Sequence, residues 1–433
     1  MLVPLFLGAL ASLAGFTHAA LKTCRARDLP TIEVFGIEII DIHTKEQRAY
    51  EDWGFFPGAT PQVPVRAIDF CNVTVTYTHP GQNDTINVYV WLPLDGWNGR
   101  LLGQGGGGWA AGAEPMLPSG VAEGYVTANT DAGHTYFGDI ATLIRADTWG
   151  LLSPGNINHV LLQDFASRAL DDLPKIAKEV IRGFYGQPAE WAYWNGCSTG
   201  GRQGLMSAQR FPDNYDGIVA AAPAINWATF VVAEWWPQLQ MHKAGYYPGQ
   251  CEYGAITKAA IERCDELDGV RDGVVAAPGL CNFDATSVIG RSYGCQGDSR
   301  KITPEAAKIA NAIWEGPKRA DGRRGWFGTT HETAVAGPLP FSGLASTACD
   351  TDNKNCKAAP FPIMESWIRY FVAKDPDFDV GNMSEDDFWW ALHKSQSEFT
   401  SVIDTSDPDL SEFKAAGGKM IVWHGEFSRI NVG

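Results

Sequence analysis

The sequence predicts an α/β fold in which a mostly parallel sheet, covered by helices, is interrupted by a second, cysteine-rich unit. Between residues 86 and 222, strand-like apolar runs alternate with helical spacing, which is typical of parallel sheets. Six of the nine cysteines then fall between Trp227 and Ser411, where the alternation stops. A last strand-like run follows at residues 419–423. We therefore expect a core sheet with an inserted, disulfide-rich lid domain.

The predicted elements can be justified in order. Residues 72–77 and 86–92 alternate β-branched and aromatic side chains around a turn-like segment, which predicts a hairpin. Short apolar runs at 100–103 and 124–129 predict buried strands. The same criteria predict the remaining core elements: helices at 159–170, 173–184 and 200–210, and strands at 191–195 and 217–222.

The chain divides into four predicted parts: a signal peptide (1–19), the first part of the core (20–226), the lid domain (227–410) and a truncated return to the core (411–433). Residues 2–16 are almost wholly apolar and end in small residues, as in a secretory signal. The run is too short to span a bilayer comfortably. We expect a secreted, extracellular protein with glycosylation sites at Asn72, Asn83 and Asn382.

Composition and charge exclude some partners. The chain has 433 residues, of which 45% are hydrophobic and 19% charged, as in a globular protein with a substantial core. Its 50 acidic residues against 34 Lys and Arg give a net charge of −16. Such a field repels nucleic acids and anionic membranes, so we expect neither as a partner.

Residues 196–200 read G-C-S-T-G and carry the candidate nucleophile, Ser198. They lie between a predicted strand and a predicted helix, which is the context of the nucleophile elbow in the α/β-hydrolase fold. The helix start would offer backbone N–H groups to a developing oxyanion. The alternative is a glycine-rich turn whose serine only caps the helix.

A glycine block at residues 105–108, followed by Trp109, is the candidate for the second part of an oxyanion hole. It follows an earlier predicted strand, and glycines let a backbone approach a substrate closely. We expect Gly106 and Gly107 to donate together with Thr199. The alternative is a flexible glycine loop without a catalytic role.

Four sequence features together resemble the fungal tannase and feruloyl esterase family. They are the cysteine directly before Ser198, the G-G-G-G-W block, T-D-A-G-H at 130–134, and F-P-D-N-Y-D-G-I at 211–218 followed by A-P-A at 222–224. The resemblance runs from about residue 24 to residue 425. It implies an α/β-hydrolase core with a lid and hydrolysis of esters of plant phenolic acids such as ferulate or gallate.

The lid carries a candidate calcium site at residues 264–274, which read C-D-E-L-D-G-V-R-D-G-V. Repeated Asp residues with glycine turns suit an ion that needs six to eight oxygens. Two Asp-Gly turns without an ion are the alternative. The resemblance implies a structural calcium ion bound by the side chains of Asp265, Asp268 and Asp272 and the carbonyls of Val270 and Val274.

Eight of the nine cysteines can pair among themselves, although the sequence does not prove the connectivity. From the resemblance and from proximity, we expect the disulfides Cys24–Cys71, Cys251–Cys264, Cys281–Cys295 and Cys349–Cys356. In the family, the cysteine before the nucleophile pairs with one after the catalytic histidine. Here Cys197 has no such partner.

The residues that should activate the serine are missing from the expected positions. α/β-Hydrolases place an acid and then a histidine after the nucleophile. The family Asp follows a strand that ends in His-Gly, here His424 and Gly425, but the matching position is Ser428 and no histidine follows. Glu426 lies two positions early, and His134 has no assignable role as a base. We therefore expect the chain as written to be inactive, because a serine without a base is a poor nucleophile.

The sequence thus predicts a carboxylic ester hydrolase for feruloyl or galloyl esters that forms an acyl-enzyme, and it does not distinguish these two substrates. A non-catalytic pseudo-esterase that binds aromatic esters is the main alternative, and a peptidase on the same fold is a third. Four lid tryptophans could stack on a phenolic ring, although most of them are expected in the core: Trp235, Trp236, Trp389 and Trp390.

Overall fold

A computed structural model describes residues 23–52, 64–134, 143–336 and 343–425. The predicted signal peptide at 1–19, together with Glu426 and Ser428, lies outside these described residues. Within the described ranges, no helix combines the length and apolar character that crossing a bilayer requires.

One mixed sheet organises the described part of the chain. Its eight strands are β1 (Glu38–Asp52), β2 (Val65–Thr78), β3 (Ile86–Pro93), β4 (Arg100–Gln104), β5 (Val126–Thr130), β6 (Trp191–Cys197), β7 (Gly217–Ala221) and β8 (Lys419–Trp423). Their order in space is β1-β2-β3-β5-β4-β6-β7-β8. In this spatial order, the neighbouring strands from β1 through β2 and β3 to β5 are antiparallel. The neighbouring strands from β5 through β4, β6 and β7 to β8 are parallel.

The predicted hairpin is confirmed, and one long strand was missed. β2 and β3 pair in register, with Val75 opposite Val88. β1 escaped prediction because none of its 15 residues is buried. An edge strand rich in charged residues shows little of the apolar alternation on which strand prediction depends.

Only the helices at 159–163, 169–185 and 199–210 lie at predicted positions, and eight others were not predicted. The described residues contain eleven α-helices. They are α1 (Pro118–Ala122), α2 (His159–Gln163), α3 (Ala169–Tyr185), α4 (Thr199–Arg210), α5 (Trp227–Ala233), α6 (Trp236–Ala244), α7 (Gln250–Cys264), α8 (Pro304–Glu315), α9 (Pro362–Ser366), α10 (Glu385–Ile403) and α11 (Ser411–Ala415). A π-helical segment, Asp164–Arg168, joins α2 to α3. The two helices predicted between 159 and 184 therefore form one continuous run.

The main hydrophobic core lies between the sheet and its helices. Valines of the central strands, such as Val75, Val88 and Val126, are fully buried. Helices α5 and α10, at the two ends of the predicted lid, contribute to this core. Between residues 241 and 345 the buried apolar residues instead form smaller separate clusters. A segment with such small cores depends more on cross-links for its stability.

Four disulfides connect the described cysteines. Cys24–Cys71 and Cys349–Cys356 are as expected, and Cys197 is free. The two expected pairs Cys251–Cys264 and Cys281–Cys295 are wrong: the disulfides are Cys251–Cys295 and Cys264–Cys281. The expected Cys251–Cys264 bond is excluded because these residues are at opposite ends of the 15-residue helix α7, which separates them by roughly 20 Å.

The parallel half of the sheet places the candidate functional residues together. The glycine block follows β4, and Ser198 follows β6. These strands are adjacent and parallel, so both segments emerge at the same edge of the sheet. In open α/β sheets, ligands bind at this carboxyl-end edge.

Candidate functional site

Ser198 occupies a strained turn between β6 and α4. Its φ of 61° and ψ of −117° lie in a region that side-chain-bearing residues seldom adopt. A Cβ on Gly196 would lie 2.5 Å from the backbone of Gly200, so the turn closes only with glycine there. The Ser198 side chain makes no capping hydrogen bond, which argues against the helix-capping alternative. The geometry is that of a nucleophile elbow.

Backbone hydrogen bonds hold the elbow against the next strand. The Ser198 N–H donates to the carbonyl of Ala221 at 3.0 Å, and the Ala224 N–H donates to the Ser198 carbonyl at 3.2 Å. The serine is half-buried. Among the described residues, no histidine or carboxylate is hydrogen-bonded to its hydroxyl.

The glycine block differs from the expectation in one respect. The Gly106 N–H donates to Gln203 Oε1 at 2.9 Å, and the Gly107 N–H donates to the Ala110 carbonyl at 3.1 Å. Neither expected donor is therefore free in this structure. Both N–H groups stabilise the loop itself. Gln203, which accepts from one of them, could not be predicted from the sequence because a buried glutamine carries no motif.

Gly108 and Thr199 retain the backbone groups that an oxyanion needs. No acceptor for the N–H of either residue exists among the described residues. Thr199 Oγ1 donates to the Gly108 carbonyl at 2.7 Å, and Gly108 has a φ of 57°. Thr199 thus stays a predicted donor, and Gly108 becomes a further candidate. The sequence could not single out Gly108, because the four consecutive glycines are indistinguishable by pattern.

His134 is a structural group. Its Nε2 lies 2.8 Å from the Trp109 carbonyl, which can only accept, so Nε2 carries a proton. The ring stacks on Trp149 with 4.3 Å between centroids. Burial lowers the pKa of His134. The imidazole therefore fastens the residue after the glycine block to the loop after β5 and offers no base to the serine.

Arg202, one turn beyond the nucleophile, is fully buried. Its guanidinium donates to the carbonyls of Ala166 and Phe165 at 2.8 and 3.1 Å. Burial lowers its pKa to about 9, so the group remains cationic at neutral pH. It ties helix α4 to the π-helical segment, a connection that no sequence motif indicated.

The candidate calcium residues share one loop. Asp265 is buried, and its Oδ1 accepts from the N–H groups of Asp272 and Gly273 at 3.1 and 2.9 Å. Asp268 accepts from the Val270 N–H at 2.9 Å. The Cys264–Cys281 disulfide closes this segment. The present hydrogen bonds are those of Asp turns, and the all-oxygen donor set also fits a hard cation.

The remaining predicted residues are the four lid tryptophans and the three predicted glycosylation sites. Trp235, Trp236 and Trp389 are buried core residues, whereas Trp390 is 42% exposed. Asn83 and Asn382 are exposed. Asn72 is half-buried within β2, and its amide donates to Glu114 Oε1 at 2.7 Å, which argues against Asn72 as a glycosylation acceptor.

A family model described as tannase and feruloyl esterase matches residues 71–429. The chain belongs to this family. It is 41% identical over 98% of its length to a probable feruloyl esterase of Arthroderma benhamiae, covering 77% of that relative. It is 29% identical over 83% of its length to a tannase of Aspergillus oryzae, covering 66% of that relative. The resemblance inferred from the motifs is thus confirmed.

Solved structures confirm the fold. A tannin acyl hydrolase from Aspergillus niger superimposes with a TM-score of 0.80 at 29% identity, over 94% of this chain and 73% of that one. Feruloyl esterase B from Aspergillus oryzae gives a TM-score of 0.69 at 24% identity, over 92% and 74%. The fold is an α/β-hydrolase core, and the family is one of carboxylic ester hydrolases.

Proposed function

We propose that the protein is a secreted carboxylic ester hydrolase that acts on plant phenolic esters, feruloyl or galloyl, through Ser198. The observation that carries this proposal is the strained backbone of Ser198 directly before the unoccupied Thr199 N–H. The relatives named as feruloyl esterase and tannase support the substrate class. Four disulfides support the secretory route, because such bonds persist in oxidising compartments.

The chemistry would proceed through an acyl-enzyme. The Ser198 hydroxyl attacks the ester carbonyl, and the N–H groups of Thr199 and Gly108 hold the resulting oxyanion. Collapse of this intermediate breaks the ester bond and releases the alcohol. Water then attacks the acyl-serine and releases the phenolic acid. Both attacks require a general base.

Among the described residues, no imidazole or carboxylate is hydrogen-bonded to the Ser198 hydroxyl. We propose that the 433-residue polypeptide by itself therefore turns over esters negligibly. In other serine hydrolases, removing members of the catalytic triad leaves only the residual rate enhancement that the oxyanion hole and substrate binding provide.

We further propose that Asp265, Asp268 and Asp272, with the carbonyls of Val270 and Val274, hold a structural calcium ion. The support is a loop whose donors are all oxygens and whose ends are cross-linked by Cys264–Cys281. The ion would stabilise a loop that contributes few residues to any hydrophobic cluster.

Hydrolysis of methyl ferulate and methyl gallate tests the function in two polypeptides. One is the 433-residue chain, and the other is a chimera that continues after Gly425 with the corresponding segment of the Arthroderma benhamiae relative. We expect negligible turnover by the first, turnover by the second, and its loss in the chimera with Ser198→Ala.

Four results would contradict parts of this proposal. Turnover by the chimera that survives Ser198→Ala removes the serine mechanism. Full turnover by the 433-residue chain removes the claim that it lacks a base. Binding of methyl ferulate by the chimera without turnover favours a pseudo-esterase, and cleavage of a peptide in place of the esters favours a peptidase.

A further inference from the structure

A buried polar cluster lies at the hairpin between β2 and β3, outside the residues assigned to the ester site. It consists of His79, Asp84 and Asp164, whose side chains are only 9%, 0% and 0% exposed. Each contributes one potential ligand atom, and these atoms all lie within 4.8 Å of one another. Within the described ranges, no other set of three His, Cys, Asp or Glu side chains meets this criterion.

Asp164 is the member that the protein leaves unsatisfied. Neither of its carboxylate oxygens accepts a hydrogen bond from the described residues. Arg168 Nε lies 2.9 Å from Asp164 Oδ1, but its N–H is not aligned with that oxygen and itself has no acceptor. A buried carboxylate without hydrogen bonds is costly, and a bound cation would lower that cost.

Asp164 lies where the helix departs from regular α-helical geometry, and its carboxylate is close to His79. Asp164 begins the π-helical segment, and single π-helical turns are frequent at functional sites. His79 Nδ1 lies 3.9 Å from Asp164 Oδ1 and 2.5 Å from Asp84 Oδ2. The Nδ1 atom of His79 therefore faces two carboxylates, those of Asp84 and Asp164.

The other ring nitrogen of His79 has a different partner. Nε2 lies 3.0 Å from Asp172 Oδ2, which also accepts from the Tyr77 hydroxyl at 3.0 Å. Histidines that bind metals commonly donate their second N–H to a carboxylate in this way. With Nε2 protonated, Nδ1 faces Asp84 and Asp164 and must carry either a proton or a metal ion.

Ligand spacing and charge both fit an ion. Two ligands at 2.0–2.2 Å from a tetrahedral zinc ion lie roughly 3.4 Å apart. The two separations from His79 Nδ1, 2.5 and 3.9 Å, bracket this value, and all three ligand atoms lie within 4.8 Å of one another. Shifts of roughly 1 Å would bring them to the distances typical of zinc. Three buried carboxylates, Asp84, Asp164 and Asp172, lie near one arginine and one histidine, and a divalent cation would offset the cost of burying them together.

We propose that His79 Nδ1, Asp84 and Asp164 bind a divalent transition-metal ion, with zinc as the best match. Zinc accepts nitrogen together with oxygen, whereas calcium takes oxygen, so this site differs chemically from the acidic loop. Binding replaces the Nδ1 proton, which is released to solvent. The ion fastens the β2–β3 hairpin to the π-helical segment, which carries the carbonyls that hold Arg202.

Isothermal titration with zinc chloride, in excess calcium after chelator treatment and dialysis, tests the site in the full chain. We expect one equivalent of zinc, a binding heat that depends on the ionisation enthalpy of the buffer because a proton is released, and a higher melting temperature. Asp164→Asn should weaken zinc binding at least tenfold. The matched control Asp171→Asn, which removes a partly exposed carboxylate paired with Lys175, should leave it unchanged.

Wild-type protein that takes up no zinc would overturn the proposal, as would zinc binding without proton release. Zinc binding by Asp164→Asn equal to wild type would do the same. If Asp164→Asn fails to fold, stoichiometry and proton release in the wild type still decide. None of these readouts depends on ester hydrolysis, so this inference and the proposed function can fail separately.

Discussion

Thr199 Oγ1 donates a hydrogen bond of 2.7 Å to the carbonyl oxygen of Gly108. The two residues are 91 positions apart and belong to the turns after two adjacent strands, β6 and β4. This contact fixes the separation between the glycine block and the nucleophile turn. The two backbone N–H groups proposed for the oxyanion belong to these same two residues, so this hydroxyl helps to set their spacing, together with the Gly200 N–H that donates to the Gly106 carbonyl at 3.0 Å.

Replacing Thr199 by valine removes that hydroxyl at nearly constant volume. The Gly108 carbonyl, which is half-buried, then loses its donor. A fully buried unsatisfied acceptor costs about 1–3 kcal/mol, so we take about 1 kcal/mol for this carbonyl. We expect the free energy of unfolding, measured by urea denaturation, to fall by about that amount. Thr199→Ser retains the hydroxyl and is the control, for which we expect a smaller loss. Equal losses of unfolding free energy in the two variants would show that this hydrogen bond contributes nothing measurable to stability.

A methyl group at Gly196 tests the closure of the nucleophile turn. The added Cβ would lie 2.5 Å from backbone atoms of Gly200, which cannot move without displacing α4. We expect Gly196→Ala to lower the free energy of unfolding by 3 kcal/mol or more, on the order of severe overpacking. The matched control is Gly107→Ala in the facing loop, where the added Cβ meets nothing within 4 Å. Similar thermal melts for both variants would contradict this account.

The sequence was sufficient for the parts of the site that depend on a fixed backbone geometry. Ser198 and its flanking glycines follow from sterics that any such turn must obey, and the strand and helix around them have clear periodicity. The choice among the four glycines of the block could not be made, because it depends on Gln203 and Ala110, which approach only in the folded chain.

The wrong disulfide pairs and the residues that the sequence did not indicate have one physical cause: they depend on contacts between distant parts of the chain. Disulfide connectivity depends on the direction of each element, and α7 carries Cys251 and Cys264 to opposite ends of a 15-residue helix. The cluster joins His79 and Asp84, which are five positions apart, to Asp164, which lies 80 or more positions from either, so no local spacing indicates it. Arg202 likewise finds its carbonyl partners through the π-helical segment, which has no sequence signature.

Calcium removal distinguishes an ion site from a pair of Asp turns. Asp272→Asn keeps the Oδ1 that accepts from the Val274 N–H and removes only the negative charge. We expect calcium at 100 times its dissociation constant to stabilise the wild-type chain by about 2.7 kcal/mol and to have a much smaller effect on the variant. The measurement is the melting temperature with calcium and with a chelator. If the melting temperature does not change with calcium, the loop is a pair of Asp turns and not an ion site.

A pH-dependent contribution to stability is expected from Asp404, the residue that follows α10. Burial raises its pKa to about 6, although the Ala228 N–H, which donates to Oδ1 at 2.8 Å, and the nearby Arg202 oppose the increase. In the unfolded chain the pKa is about 3.9. Below that value the group is protonated in both states. Between about 4 and 6 the folded chain holds a proton that the unfolded chain has released, so stability falls as the pH rises.

Asp404→Asn removes this titration and retains the Oδ1 acceptor. Relative to wild type, the variant should gain up to about 3 kcal/mol of stability between pH 4 and pH 7, since one pKa unit corresponds to about 1.4 kcal/mol. Groups that titrate equally in both proteins cancel in this difference. Urea unfolding at intervals of pH measures it. Parallel stability curves for the two proteins would mean that Asp404 is ionised in the fold and that the buried Arg202 is its counter-ion.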